Sequence, residues 1–251
     1  MSVGVSVIVI AKDEEASVAE TLRSVSWADE IVVVDSGSTD RTVAICRELG
    51  ARVVVTADWP GFGAQKNRAL AEARGDWVLS LDADEQVTPQ LREEIAKVIA
   101  APATHDAYEM PRLSRYCGRY IRHGGWWPDH VTRLFRRGKA RFSDDLVHER
   151  LIVDGTIGRL ANHLVHHAFE NLEEVLRKVD QYSSANARML HARGRKGSLA
   201  RAILHGAWAF IRTYVLRAGF LDGRHGFMLA VSNAEGTYYR YLKLMLLDEK
   251  R

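Results

Sequence analysis

The sequence predicts an α/β protein: a Rossmann-like, mostly parallel sheet flanked by helices, with antiparallel additions and a helical appendage at the C-terminal end. Three features predict it. Short β-branched runs alternate with helical segments over the first hundred residues, polar residues gather where each run ends, and beyond Pro102 the rhythm changes to short strands and then to long helical periods.

Residues 5–10 form the first strand. The preceding Met1-Ser2-Val3-Gly4 carries no charged leader, so this run reads as a strand and not as a signal peptide. A helix over 16–25, a strand over 31–34 and a helix over 41–49 stopped by Gly50 follow. Residues 52–55 give the third strand, 64–73 a helix stopped by Gly75, and 77–81 the fourth strand. Right-handed crossovers then bring the strand ends to one crevice. Thr88 caps a helix whose first residue is Pro89 and which runs to about residue 101. Segments 108–120, 131–137, 140–142 and 146–153 read as short strands, with turns at Arg137-Gly138 and Asp154-Gly155. Asn171 and Glu174 form a capping pair for a helix over 171–192, and Ser198 caps another over 199–218. The expected division is residues 1–170, in halves 1–101 and 102–170, followed by a basic amphipathic helical region over 171–251.

Composition narrows the class. At 251 residues, 47% hydrophobic and 27% charged, the chain has the makeup of a folded protein. A net charge of +3 implies no general nucleic-acid surface, but basic residues heavily outnumber acidic ones from Arg112 to Arg224, which points to an anionic partner. Cys46 and Cys117 cannot build a disulfide framework and fit a reducing compartment. No run of about 18 uncharged apolar residues is present, so no spanning helix is expected. In the helix over 199–218, Arg201, His205 and Arg212 share a face with Trp208, which suits a membrane interface; a core helix with a basic solvent face accounts for the same pattern.

The chemistry concentrates at Asp82-Ala83-Asp84-Glu85, directly after the fourth strand. Three carboxylates at one strand tip repel unless a cation lies among them, and oxygen ligands suit Mg²⁺ or Mn²⁺ and a phosphate ligand. A solvated turn is the alternative, although the next helix needs only Thr88. Strand two ends in Asp35-Ser36-Gly37-Ser38-Thr39-Asp40, whose backbone N–H groups can face a phosphate or hydroxyl. A capped turn explains one of these residues, not Asp35 and Asp40 together.

In this order, Val7-Ile8-Val9-Ile10-Ala11-Lys12-Asp13-Glu14-Glu15, the Asp35–Asp40 loop, Gly63-Ala64-Gln65-Lys66-Asn67-Arg68-Ala69-Leu70 and Leu81-Asp82-Ala83-Asp84-Glu85 resemble family-2 glycosyltransferases of GT-A fold. Gly125-Trp126-Trp127-Pro128-Asp129, Arg133-Leu134-Phe135-Arg136-Arg137 and Val147-His148-Glu149 are similar to the lipopolysaccharide-core β-glycosyltransferase branch. The resemblance implies that residues 1–101 bind a nucleotide sugar and that 102–170 serve the acceptor and catalysis. It implies that Ala11, Glu14 and Asp35 hold base and ribose, that Lys66 and Asn67 face the nucleotide or diphosphate, and that Asp82 and Asp84 form the DxD pair. In that pair Asp84 ligates the metal, while Asp82 contacts the ribose or a metal-bound water. Many relatives have Asn before Glu where this chain has Asp13-Glu14, which bears on the base contact and not on the pocket.

An inverting transferase needs a carboxylate to take the acceptor hydroxyl's proton. Asp129, Asp144, Asp145 and Glu149 are candidates, Glu149 first and Asp129 second. His148 is either a third metal ligand, by the same resemblance, or a core histidine. Regular strand alternation would point His148 and Glu149 to opposite faces, so both serve one site only from a loop or bulge. Trp126 and Trp127 are expected to stack on acceptor sugars or fill the core, and Arg133, Arg136 and Arg137 to meet acceptor phosphates or form an exposed basic strand.

The expectation is therefore an inverting, metal-dependent transferase using Mg²⁺ or Mn²⁺. UDP-glucose is the leading donor, with a heptose donor the nearest substitute. Its acceptor is a lipid-linked core oligosaccharide, and it works peripherally at the inner face of the cytoplasmic membrane. A metal-dependent phosphohydrolase also uses an Asp-x-Asp, but its nucleophile strand comes first. A nicotinamide oxidoreductase needs a Gly-x-Gly-x-x-Gly turn, and residues 11–16 contain no glycine. A non-catalytic nucleotide-sugar or lipid-binding protein would keep the crevice and lack the base.

Overall fold

The computed structural model describes residues 4–143 and 149–249. Its elements run β1 (Val5–Ala11), α1 (Val18–Ser24), β2 (Glu30–Asp35), α2 (Thr42–Glu48), β3 (Arg52–Val55), α3 (Phe62–Glu72), β4 (Trp77–Asp82), β5 (Glu85–Val87) and α4 (Pro89–Ala100). There follow β6 (Ala107–Tyr116), β7 (Arg119–Tyr120), β8 (Asp129–Arg136), β9 (Ala140–Phe142), β10 (Leu151–Val153), β11 (Ile157–Arg159) and β12 (Leu164–Phe169), then α5 (Leu172–Ala192), α6 (Leu199–Ile211) and α7 (Gly223–Glu249). The larger sheet has the order β3-β2-β1-β4-β8-β6-β12-β5, with β7 and β11 paired to β6, and β9 pairs separately with β10. The chain divides into two compact units, residues 1–112 with 130–166, and residues 113–129 with 167–251.

In the first unit β1 pairs in parallel with β2 and β4, and β2 with β3, as the crossover pattern predicts. Every residue of β1 is buried, because helices cover both faces. Strand alternation sorts its side chains: Val5, Val7 and Val9 enter one core with Leu79, Leu81, Leu91 and Ile95, while Ile8 and Ile10 enter the other with Val32, Val34, Val78 and Phe135. Strand β8 then adds antiparallel to β4, placing Leu134 opposite Leu79. The Thr88 side chain caps α4 by accepting from the Leu91 N–H.

In the second unit α7 packs against α5 and α6. A small core of Tyr116, Ile121, Val175 and Leu229, with Trp126, Phe169 and Val179 packed on it, joins the helices to the segment from 113 to 129. The Tyr116 hydroxyl meets Ser232 Oγ at 2.8 Å. The Asp222 carboxylate accepts from the backbone N–H groups of Arg122 and His123 at 3.1 and 2.8 Å, fixing that segment against the start of α7. The helix expected over 199–218 is α-helical only to Ile211 and continues as a π-turn over Arg212–Leu216. Strands β11 and β12 are not anticipated by the sequence reading, and α7 is anticipated only as part of the helical region over 171–251.

Candidate active site

The loops after β1 and β2 are laced together. Asp35 is fully buried, and its Oδ1 accepts from the Gly37 and Ser38 N–H groups at 3.0 and 2.9 Å while the Ser38 hydroxyl donates to Oδ2. Gly37 adopts φ +79°, a left-handed turn that glycine takes without strain. From the first loop, the Asp13 N–H donates to Ser38 Oγ, Glu14 N–H to Thr42 Oγ1 at 2.7 Å, and Glu15 N–H to Asp40 Oδ2 at 3.0 Å. Gln65 on α3 donates to Ser36 Oγ and Thr56 Oγ1, so three strand ends share one polar network. Burial pushes the Cys46 thiol up to about 11, with Asp35 and Asp40 adding to the shift, so it is no nucleophile at neutral pH.

The acidic tip of β4 is neutralised by buried cations. Lys66 Nζ lies 2.8 Å from Asp82 Oδ1 and 2.9 Å from Glu149 Oε1. Arg133 pairs with Asp82 Oδ2 and, at 2.7 Å, with Glu85 Oε1, which Arg112 also meets at 3.1 Å. Burial alone would raise the Asp82 carboxyl, but Arg133 and then Lys66 outweigh it and hold the group well below the usual carboxylate range. Burial likewise disfavours the Arg133 charge, and Asp82 with Glu85 more than restores it. Glu85 is wholly buried, and its Oε2 accepts the Asp82 N–H at 3.1 Å, so this carboxylate shapes the turn that carries both aspartates. Thr21 on α1 fixes the same turn by donating to the Ala83 carbonyl at 2.7 Å.

Asp84 stands apart from these cations. Its Oδ2 lies 3.4 Å from His166 Nε2, brought there because β12 pairs antiparallel with β5 and sets His166 opposite Glu85. Among the described residues no group of three or more His, Cys, Asp or Glu gathers as a complete metal cage.

The structure thus brings Lys66, Asp82, Asp84, Arg133 and Glu149 into one unit with Ala11, Glu14 and Asp35. His148, Asp144 and Asp145 lie outside the described residues. Asn67 bonds the Phe142 backbone at both ends of its amide, each at 2.9 Å, which anchors β9 to α3. Arg133 differs from an exposed basic strand: it is 8% exposed, whereas Arg136 and Arg137 are exposed. Trp126, Trp127 and Asp129 belong to the second unit, where Trp126 sits edge-on to Tyr116 at 5.7 Å. Arg112 and His166 are the site residues that sequence reasoning missed, and Glu85, expected among three carboxylates facing a cation, is instead wholly buried against Arg133 and Arg112. The pair His166-His167 at the end of an apolar run was the available signal for His166.

Gly63 sets the spacing of Glu149. A Cβ at this position on α3 would fall 1.8 Å from the Ser143 carbonyl oxygen and 3.4 Å from the Glu149 Cβ. Only glycine lets the two backbones approach so closely.

A covered, mostly parallel sheet with an Asp-x-Asp tip on its fourth strand, antiparallel additions and C-terminal helices is the GT-A fold. Residues 6–151 match the family model for Glycosyl transferase family 2, and the chain belongs to that family. An uncharacterized glycosyltransferase of Rickettsia typhi is 31% identical over 258 residues, covering 98% of this chain and 88% of its own. The lipopolysaccharide core biosynthesis glycosyltransferase LpsC of Rhizobium meliloti is 28% identical over 253 residues, covering 94% and 89%. Among solved structures, S. aureus TarS in complex with UDP-GlcNAc superposes with a TM-score of 0.50 at 16% identity, over 100% of this chain and 93% of that one, a likeness of fold alone.

Proposed function

We propose that this glycosyltransferase moves glucose from UDP-glucose to a lipid-linked lipopolysaccharide core oligosaccharide, by a single displacement that inverts the anomeric centre, at the inner face of the cytoplasmic membrane. The observation that carries the reading is the division of labour at the β4 tip. Both oxygens of Asp82 are held by Lys66 and Arg133, which leaves Asp84 beside His166 as the group for a cation. The near full-length similarity to LpsC supports the acceptor class.

A carboxylate and an imidazole fit Mg²⁺ or Mn²⁺, which take few protein ligands and complete their shell with substrate phosphates. When bound, such an ion would offset the charge that accumulates on the leaving diphosphate. Asp84 and His166 would hold it, and Asp82 would contact the ribose. Glu149 takes the proton from the acceptor hydroxyl as that oxygen attacks the anomeric carbon and the bond to the diphosphate breaks. Lys66 orients Glu149 through the 2.9 Å contact, coupling the base to the donor-binding tip. Ala11 and Glu14 would line the nucleoside end, and Asp35, fully buried, would act there through the Gly37-Ser38 turn that its carboxylate holds. Burial makes Arg133 a positioning residue for Asp82 and Glu85, and Arg136, set opposite Trp77 at the far end of β4 from the acidic tip, is not an acceptor contact there. Trp126 and Trp127 remain the acceptor-binding expectation and Asp129 the alternative base.

Thermal unfolding tests the donor half of this reading. A ligand at about 100 times its Kd stabilises by about 2.7 kcal/mol, which for a chain of this size is roughly a 5–11 °C rise in Tm. UDP with Mn²⁺ should produce it in the wild type and not in Asp84→Ala. No rise with any nucleotide, with or without metal, would refute the reading.

A further inference from the structure

We propose that the outer face of α6 and the turn that follows it form an anionic-membrane insertion surface, lying in the plane of the bilayer interface. Helix α6 is built inside out by the standards of a soluble helix. Its buried stripe is Ala202, Gly206, Ala209 and Thr213, spaced four, three and four residues apart, and it packs on α7. At Gly206 a Cβ would already meet Tyr238 Cβ at 3.2 Å and the Ala234 carbonyl at 3.3 Å, so the two helices approach through small residues. The opposite stripe has the same spacing and is large and apolar: Leu204, Trp208, Ile211 and Val215, with Leu204 69% and Trp208 53% exposed. Close approach through small residues with bulky apolar groups turned outward is how helices associate in lipid.

The turn extends the surface. Leu216, Phe220 and Leu221 are 62%, 49% and 57% exposed, so the apolar face continues past the end of α6. An exposed apolar patch of this extent marks an interaction site.

Charge decides which partner it fits. Between Asp180 and Asp222 the chain has no Asp or Glu, and it has six arginines and one lysine. Exposed Arg201 precedes the apolar stripe and exposed Arg212 stands within its span, between Ile211 and Val215. Asp222 itself is 4% exposed, its carboxylate turned to the backbone of Arg122 and His123. A second copy docked here about a two-fold axis would set this cationic stretch against itself. Anionic lipid headgroups meet the cations while the acyl boundary takes the Leu and Trp side chains. No helix among the described residues is long and apolar enough to cross a membrane, so contact is in-plane. A lipid-linked acceptor, as read above, is the substrate that such attachment would serve.

Flotation of the full chain with vesicles tests this, using phosphatidylcholine alone and phosphatidylcholine mixed with phosphatidylglycerol. The protein should float with the anionic vesicles, far less with the neutral ones, and less as salt shortens the Debye length from about 8 Å at 0.15 M toward ~3 Å at 1 M. Leu204→Glu and Trp208→Glu should each weaken partition roughly 10- to 100-fold, the loss expected for one large apolar side chain. Arg201→Glu with Arg212→Glu should remove the preference for anionic lipid. Because these side chains are exposed, each variant should keep the wild-type melting temperature and its rise with UDP and Mn²⁺. Absence of flotation, equal partition into both vesicles, unaltered partition in the variants, or a solution dimer that Leu204→Glu dissociates would each overturn it. The nucleotide-induced melting shift is scored separately, so failure at the membrane and failure of the transferase reading are told apart.

Discussion

Replacing Arg133 by Met removes one guanidinium that serves two carboxylates, one of them with no solvent exposure. Breaking a buried ion pair from one side costs about 3–5 kcal/mol, because a charge is left without its partner. Here each carboxylate keeps a second cation, Lys66 at 2.8 Å for Asp82 and Arg112 at 3.1 Å for Glu85. The lower end of the range, about 3 kcal/mol, is therefore expected. At 2–4 °C per kcal/mol this is roughly a 6–12 °C fall in Tm, read by circular dichroism. The loss depends on pH in a fixed sense. Asp82 is held below its ordinary range, so the stability it confers is complete above its unfolded value and is lost as pH falls through the folded one. The difference between wild type and variant should be full at neutral pH and should shrink below about pH 4. Adding Glu85→Gln should recover part of the loss, since the residual charge is then gone. A fall of under about 2 °C, or a double variant no more stable than the single, would refute this assignment of Arg133.

The other expectations concern chemistry and spacing. Glu149→Gln should lower kcat by about 10²–10⁴ with little change in donor KM, and Asp129→Asn should not; full turnover in Glu149→Gln would remove it as the base. His166→Ala should raise the Mn²⁺ concentration needed for half-maximal activity, and an unchanged metal dependence would sever it from the cation. Gly63→Ala should leave UDP and Mn²⁺ binding nearly intact and depress kcat, because its methyl group displaces the Ser143 backbone beside Glu149. Wild-type turnover in that variant would contradict the coupling of α3 to the base.

Much of the frame is legible because it is local. Runs such as Val5–Ala11 and Trp77–Asp82 are β-branched or apolar apart from Ser6, Ser80 and the terminal Asp82, as suits strands covered on both faces, and their order dictates where the polar tips collect. The Asp82-Ala83-Asp84-Glu85 tip can be read for the same reason, whereas Lys66 is reached only through the family resemblance of segment 63–70. What escapes depends on pairing at a distance. Arg133 is buried because β8 registers against β4, setting Leu134 opposite Leu79, and nothing in the run Arg133–Arg137 separates it from exposed Arg136. His166 reaches Asp84 only through the register of β12 on β5, two strands far apart in the chain. Helix α7 has no single apolar stripe because it packs on both α5 and α6, and Gly223, Gly226 and Gly236 dilute its helical signal. The exposed face of α6 inverts the usual rule, so periodicity finds the helix and not which side is inside.

Incubation with UDP-glucose, Mn²⁺ and a lipid-linked core acceptor, followed by mass spectrometry and NMR of the isolated product, tests the central claim most directly. The account predicts an acceptor heavier by one hexose in β linkage, formed by the wild type and lost in Asp84→Ala and Glu149→Gln. An unmodified acceptor, an α linkage, or undiminished product from Asp84→Ala would contradict it.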